Sequence, residues 1–346
     1  MDARPLNGRQ RQRQRALSSI AWLPGVYLLV AESGCVTGPP STVHIRPSDE
    51  LAPVVSVRAL SASLKVATFN VWGLPSWVNR ASAERYPKIA REFGRLGSDV
   101  VLLQEVWTEQ CFEELSRPAG GGAHGWCAAW ARHKGGFLGQ NGLLTLSRYP
   151  IEGAEVRHFS IGSLPDSLMH KGALKITVRV GDGQRVNIWN VHLQAGDATR
   201  VRLRQISELA KWVRAAENGQ IADIVGGDFN STPESEEFRQ LVATLGPSVH
   251  QLARTTPLPT WDGPEAAAGG GDTLDHIFVR MRPSADEVSA RPERIFAAAR
   301  REDRLSDHMG VQALLTFGRE REEGAAIFVL GTAASGRPGT TALSGP

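Results

Sequence analysis

In six places along this 346-residue chain, an acid, amide or imidazole stands at the end of an apolar run or within one. Asn70 follows Val66 to Phe69, and Glu105 follows Val100 to Leu103. His192 lies within Asn190-Val191-His192-Leu193, and Asp228 and Asn230 follow Ile224-Val225-Gly226-Gly227. Asp275 precedes Ile277 to Val279, and Asp307-His308 precedes Met309-Gly310-Val311. If the apolar runs are strands of an α/β sheet, such strand-end residues converge on one rim, where ligands bind. Glu105, Asp228 and Asn230 offer hard oxygens and no thiolate, a donor set for Mg²⁺ or Mn²⁺ rather than zinc. Asp228 and Asn230 are two apart and share a face in extended backbone. Gly226 and Gly227 would let the backbone come close to a ligand. Any one of these acids taken alone reads as a solvated loop residue; six motifs in a consistent order do not.

The elements that must position these groups alternate. Val100 to Leu103, Val186 to Leu193 and Ile221 to Val225 read as buried strands. Tyr86, Ile89, Ala90, Phe93 and Leu96 mark one helical face, and Leu203, Ile206, Leu209, Ala210 and Val213 another. Strand and helix in alternation predict an α/β domain. Residues 1–34 are read as a leader, 35–62 as a linker or edge strand, 63–317 as the catalytic domain and 318–346 as a low-complexity tail, with Ala325 to Leu330 left open as a further edge strand.

The formal charge of +3 hints at an anionic partner. Five leader arginines (Arg4, Arg9, Arg11, Arg13, Arg15) against Asp2 and Glu32 account for all of it, so a generally basic nucleic-acid surface is not expected. The arginines precede an apolar stretch, Ala16 to Ala31, and then Glu32-Ser33-Gly34-Cys35, the order of an export signal. The stretch is short and broken by Pro24 and Gly25, which suits a signal better than a membrane span. The expectation is a secreted or envelope-attached protein, with Cys35 a candidate lipoprotein cysteine. The competing reading is a plain basic extension on a cytosolic enzyme. Cys111 and Cys127 can pair or stay as buried thiols.

The strings Thr68-Phe69-Asn70-Val71-Trp72-Gly73-Leu74-Pro75, Gln104-Glu105-Val106-Trp107, Asn190-Val191-His192-Leu193-Gln194-Ala195, Gly226-Gly227-Asp228-Phe229-Asn230, Leu274-Asp275-His276 and Ser306-Asp307-His308 resemble the ordered motifs of the endonuclease/exonuclease/phosphatase superfamily. Within it the His192 to Ala195 string, the opening Asn70-Val71-Trp72-Gly73-Leu74-Pro75 and the Asp166-x4-Lys171-Gly172 element are most similar to neutral sphingomyelinases. The resemblance implies a four-layer α/β/β/α sandwich of two packed mixed β-sheets. It implies a metal-dependent phosphodiesterase that hydrolyses sphingomyelin to ceramide and phosphocholine, with a phospholipid membrane surface as its working partner and no obligate protein partner evident. Glu105 is then the anchor of Mg²⁺, with Asn70, Asp228 and Asn230 near it, and Asp228 and Asn230 orient water or a second cation. His308 is the general base, with Asp275 as its partner and Asp307 close to the metal or to His192. His192 and Lys171 stabilise the transition state, and Asp166 governs the placement of Lys171.

Trp72 and Trp107 flank site motifs as candidate substrate-binding residues. Trp77, Trp126 and Trp130 are candidates for lipid contact, against a core role as the larger expectation. His276 is read as a packed structural residue, because its neighbour Asp275 points to the opposite face of a regular strand. Two other readings compete: a nuclease or other phosphoesterase on the same centre, and a non-catalytic membrane-binding protein on the same fold.

Overall fold

The computed structural model describes residues 42–46, 63–75, 82–117, 126–132, 139–164, 166–180, 183–262, 271–282, 287–298 and 303–318. The leader, Cys35, Trp77 and nearly all of the tail lie outside these residues.

Period-2 alternation decides which side chains face which layer. Along β2 (Ser63–Gly73), Leu64 and Val66 point into one core while Ala67, Phe69 and Val71 point into another. Along β3 (Val100–Val106) the split is Val100 and Leu102 against Val101 and Leu103. Every strand that is apolar on both faces must be covered on both faces, and the chain meets this with two stacked sheets.

A seven-stranded sheet runs in the order β1-β4-β5-β3-β2-β12-β11 and a five-stranded sheet in the order β10-β9-β8-β7-β6. The strands not yet given are β1 (Thr42–Arg46), β4 (Cys127–Arg132), β5 (Leu144–Ser147), β6 (Ile151–His158), β7 (Gly172–Val180), β8 (Gln184–His192), β9 (Gln220–Asp228), β10 (Asp275–Met281), β11 (Val288–Ile295) and β12 (Gly310–Phe317). Both sheets are mixed: β2 and β3 pair in parallel in the first, as do β8 and β9 in the second. The core between the sheets holds Leu102, Leu174, Ile188, Ile224, Ile277 and Val311. Helices α1 (Ser82–Leu96) and α2 (Glu109–Ser116) cover the outer face of the first sheet through Ile89, Phe93, Phe112 and Leu115. Helices α3 (Thr199–Ala215) and α4 (Glu236–Leu245) cover the second through Ile206, Leu209, Val213 and Leu241. The result is the α/β/β/α sandwich. A short α5 (Val249–Ala253) follows α4, opened by a capping box between Ser248 and Gln251.

Part of the segment expected as a linker or edge strand is β1, which lies at the edge of the larger sheet against β4. Trp126 and Trp130 are buried at 7% and 2% exposure, with Trp130 stacked on Phe112, so they belong to the core and not to a lipid-facing surface. Cys111 and Cys127 are buried free thiols and form no disulfide. Among the described residues no helix is long and apolar enough to cross a membrane.

A polar clasp locks the sheets together just beneath the strand ends. Gln104 Nε2 donates to Asn190 Oδ1 at 2.7 Å, and Asn190 Nδ2 donates to the carbonyls of Leu103 and Leu144, each at 3.0 Å. Both side chains are fully buried, and a buried amide is stable only when its hydrogen bonds are made. The expectation that Gly226 and Gly227 bring backbone near a ligand is corrected: they bring it near protein. A Cβ on Gly226 would press on Leu102 of the facing sheet at 2.7 Å, and one on Gly227 would overlap the Val191 carbonyl of β8.

His276 faces away from the sheet interface, as expected, into Phe229, Phe238 and Phe278, with Nε2 held 2.9 Å from the Ser231 carbonyl. Burial in this aromatic nest lowers its pKa to about 4. A depressed histidine favours the fold fully above the unfolded value near 6.5 and loses that contribution as pH falls toward 4. We expect His276→Gln to flatten the pH dependence of unfolding free energy between these values by about 3 kcal/mol. Urea titrations across the pH range check this; an unchanged slope contradicts it.

Candidate active site

Three strands of the smaller sheet deliver three groups in one row. Asp228 is the registered neighbour of His192 on β8 and of Asp275 on β10. Alternation aims all three at the sheet interface, since Val191, Val225 and Phe278 on the same strands face the helices. The larger sheet supplies Asn70 by the same rule, but Glu105 needs more. A regular strand would send Glu105 toward α1 and α2, opposite to Gln104. Here β2 and β3 shift register between Asn70 and Gly73, and Glu105 and Trp72 both take left-handed backbone, φ 62° and 48°. That bulge turns the Glu105 carboxylate back into the interface, the re-aiming role typical of bulges beside active sites.

The two sheets meet at Asn70. Its Nδ2 donates to Glu105 Oε1 at 2.9 Å and to Asp228 Oδ2 at 3.0 Å, while its Oδ1 accepts from the Trp72 amide at 3.0 Å. As arranged, Asn70 offers N–H to two carboxylates instead of an oxygen to a cation. Trp107 is nearly buried, and its Nε1 donates to Glu105 Oε2 at 3.3 Å, so it props the carboxylate instead of lining an open pocket. Trp72 lies against the Arg85 guanidinium, 5.4 Å from its ring centre. Asn230, at φ 49°, donates from Nδ2 to the Leu193 carbonyl and from its backbone to Asp228 Oδ1, which keeps it beside Asp228.

On the far side of Asp228 stands His308. Its Nδ1 is 2.9 Å from Asp275 Oδ2 and its Nε2 is 3.7 Å from Asp228 Oδ2. Burial alone would lower this imidazole's pKa, but the charges of Asp275, Asp228 and Asp307 outweigh it and hold the group above its ordinary value. Asp307 is half-buried, accepts from Ser306 Oγ at 3.2 Å, and its charge acts on Glu105, Arg85 and His308.

Lys171 is buried, with its ammonium 2.6 Å from Asp166 Oδ2, 3.0 Å from the Leu193 carbonyl and 3.0 Å from His192 Nε2. An ammonium only donates, so Nε2 of His192 is the acceptor and its proton sits on Nδ1. Burial, and then Lys171, hold His192 neutral with a pKa lowered to about 3. The expected site residues therefore assemble in one place: Asn70, Glu105, Trp107, Asp166, Lys171, His192, Asp228, Asn230, Asp275, Asp307 and His308.

Several supports were not read from the sequence. Ser306 Oγ donates to the Asn70 carbonyl at 2.7 Å and accepts from the His308 amide, joining β2 to the His308 loop. Thr260 Oγ1 accepts from the amides of Leu274 and Asp275. Ser306 stood inside a quoted motif, whereas Thr260 lies in a turn with no pattern of its own.

The donor set fits a hard divalent cation. Among the described residues Glu105 receives an amide and an indole N–H but no ammonium or guanidinium hydrogen bond, and burial together with Asp307 raises its pKa. Asp228, Asp275 and His308 place ligand atoms within 4.8 Å of one another. His192 Nδ1 is buried with no hydrogen-bond partner among the described residues, a state that a bound group would relieve. Glu105, Asp228 and Asn230 would hold such an ion, and Asp275 is occupied by His308.

Comparisons agree with this arrangement. The model of the Endonuclease/Exonuclease/phosphatase family matches residues 67–308. A candidate neutral sphingomyelinase of Drosophila melanogaster is 28% identical over 283 residues, covering 74% of this chain and 61% of that protein. An inositol phosphosphingolipids phospholipase C of Schizosaccharomyces pombe is 29% identical over 186 residues, covering 50% of this chain and 42% of that protein. The chain thus spans less than two thirds of the length of either relative. Among solved structures, a mutant beta toxin of Staphylococcus aureus with bound magnesium ions superposes with TM-score 0.56 at 18% identity, over 74% of this chain and 100% of that one. That likeness is one of fold. The family match opens at Ala67 in β2 and closes at His308, so it encloses every residue of the cluster, and the chain belongs to the endonuclease/exonuclease/phosphatase family.

Proposed function

We propose that this protein is a divalent-cation-dependent phosphodiesterase that hydrolyses sphingomyelin to ceramide and phosphocholine at a lipid surface. The observation that carries the reading is the single buried cluster in which Asn70 joins Glu105 to Asp228 while Asp228 also faces the His308–Asp275 pair. The Asp166–Lys171 contact and the relatives named for sphingolipid substrates support the lipid over a nucleic acid.

A phosphodiester repels a nucleophile through its own negative charge. Mg²⁺ held by Glu105 and Asp228 would supply positive charge to a phosphoryl oxygen. His308, with Nδ1 fixed by Asp275, carries a proton in the cation-free site; a divalent cation beside the acids would lower its pKa and free Nε2 to take a proton from the attacking water. The new O–P bond forms, the bond from phosphorus to the ceramide oxygen breaks, and that oxygen takes a proton from solvent water while His308 returns its own proton to solvent. Lys171 keeps positive charge beside the developing negative charge and keeps His192 in the tautomer that donates from Nδ1. Asn70 fixes the spacing of the two carboxylates, and Trp107 restrains Glu105.

Purified protein should hydrolyse sphingomyelin in mixed micelles with Mg²⁺ and stop in excess EDTA, with phosphatidylcholine turned over more slowly and plasmid DNA left unnicked. His308→Ala should lower kcat by about 10²–10⁴-fold. Metal-dependent DNA nicking without sphingomyelin turnover, or near-full turnover by His308→Ala, contradicts the proposal.

The leader reading supports export and attachment at the envelope, which suits an enzyme acting on a membrane lipid. Cell fractionation of the full chain should find it outside the cytosol, with Cys35→Ala shifting it from the membrane fraction to the soluble one. A cytosolic protein indifferent to that change contradicts the localisation.

A further inference from the structure

Arg202, in the first turn of α3, is 1% exposed. A buried guanidinium persists only where its donors are used. Its Nε and Nη2 donate to Glu237 Oε1 at 3.0 and 2.8 Å, and Nη1 donates to the carbonyls of Gln194 and Gly196 at 3.1 and 2.6 Å. Those two carbonyls flank Ala195. The Ala195 amide donates to Asp166 Oδ2 at 2.7 Å, and Gln194 Nε2 donates to the same oxygen at 3.1 Å. That oxygen also receives Lys171 Nζ at 2.6 Å. One turn further along α3, Gln205 Oε1 accepts from the Gln194 amide, and its Nε2 donates to the Ile161 carbonyl, each at 2.9 Å. Helix α3 therefore grips both the loop that follows β8 and the segment that leads to Asp166.

We propose that Arg202, backed by Glu237, is a positioning residue for the Asp166–Lys171 pair: it clamps the Gln194–Gly196 loop, which aims two N–H groups at Asp166, and Asp166 in turn sets Lys171 against His192. The inference rests on the reading of Lys171 as a group that acts in the transition state. The guanidinium suits the task because its planar fork addresses a carboxylate and two carbonyls at once; a lysine ammonium has a single nitrogen to place. The simpler alternative is an ion pair that ties α3 to α4 and has no bearing on Lys171.

Arg202→Lys separates the two, because it keeps the charge beside Glu237 and loses the double grip on the carbonyls. It should bind Mg²⁺ as the unaltered protein does and lose about 10²-fold in kcat, the scale of a small misplacement of a reacting group. KM should change little, since the lost interaction belongs to the transition state. In a Lys171→Met background the same substitution should cost no further activity, as expected for residues acting through one contact. Arg202→Met/Glu237→Leu guards against a folding artefact, since apolar replacement of a buried pair preserves folding; it too should lose turnover. A crystal structure of Arg202→Lys should show the 2.6 Å contact of Lys171 with Asp166 opened. An intact contact, additive losses with Lys171→Met, or full turnover by the doubly apolar variant overturns the proposal. If the unaltered protein cleaves no phosphodiester, the functional reading fails, and the crystallographic comparison still decides whether Arg202 positions the pair.

Discussion

Two carboxylates from different sheets, Asp228 buried and Glu105 half-buried, lie within hydrogen-bonding distance of one amide nitrogen and set the terms for everything around them. Burial, with the charge of Asp307, raises the pKa of Glu105, whereas for Asp228 nearby positive charge, His308 first, outweighs burial and holds the carboxyl below its usual range. The neighbouring Asp307 and Asp275 add to the load, against which the described cluster sets His308 and a lysine that Asp166 already holds. Such a concentration of acids suits a hard cation, whose charge would offset theirs. The sandwich exists, in functional terms, to hold these groups together. The Gln104–Asn190 clasp fixes the sheets one residue behind Glu105 and two behind His192, where sliding would separate the ligands.

Much of this was legible in the sequence because two periodicities carry it. Alternation along β2, β8, β9 and β10 put Asn70, His192, Asp228 and Asp275 on the inner face and sent His276 outward among phenylalanines. Helical spacing marked the inner faces of α1 and α3. Glu105 is the instructive exception. Alternation would have sent it to the helix side, and only the paired left-handed residues Trp72 and Glu105 return it to the site. A register shift of that kind leaves no periodic trace, so the position was read from its motif and not from its geometry. The glycines before Asp228 misled for a related reason: a glycine signals a close approach without saying to what. Ser306 and Thr260 act through backbone atoms distant in sequence, and Arg202 through carbonyls of an irregular loop, and no spacing rule reaches them.

The division of labour among the polar residues also became definite only in three dimensions. Residues read from the sequence as metal neighbours, substrate-binding groups or catalytic groups separate into holders and props. Asn70 and Trp107 donate to the carboxylates, and Lys171 spends its hydrogens on Asp166, Leu193 and His192. The site is thus supported from three directions: the bulge of the larger sheet, the row across the smaller one, and the α3 side through the loop after β8. The proposed lipid substrate depends on the last of these more than on the metal cluster, since acids that hold a cation against phosphorus do not by themselves distinguish one phosphodiester from another.

Diffraction from crystals soaked in Mn²⁺, recorded at a wavelength where manganese scatters anomalously, tests the central claim most directly. A manganese peak at the Glu105 side of this cluster, lost in Glu105→Gln crystals, is the result predicted. Ordered crystals with no peak among Glu105, Asp228 and Asn230, or with manganese held elsewhere, would contradict the account.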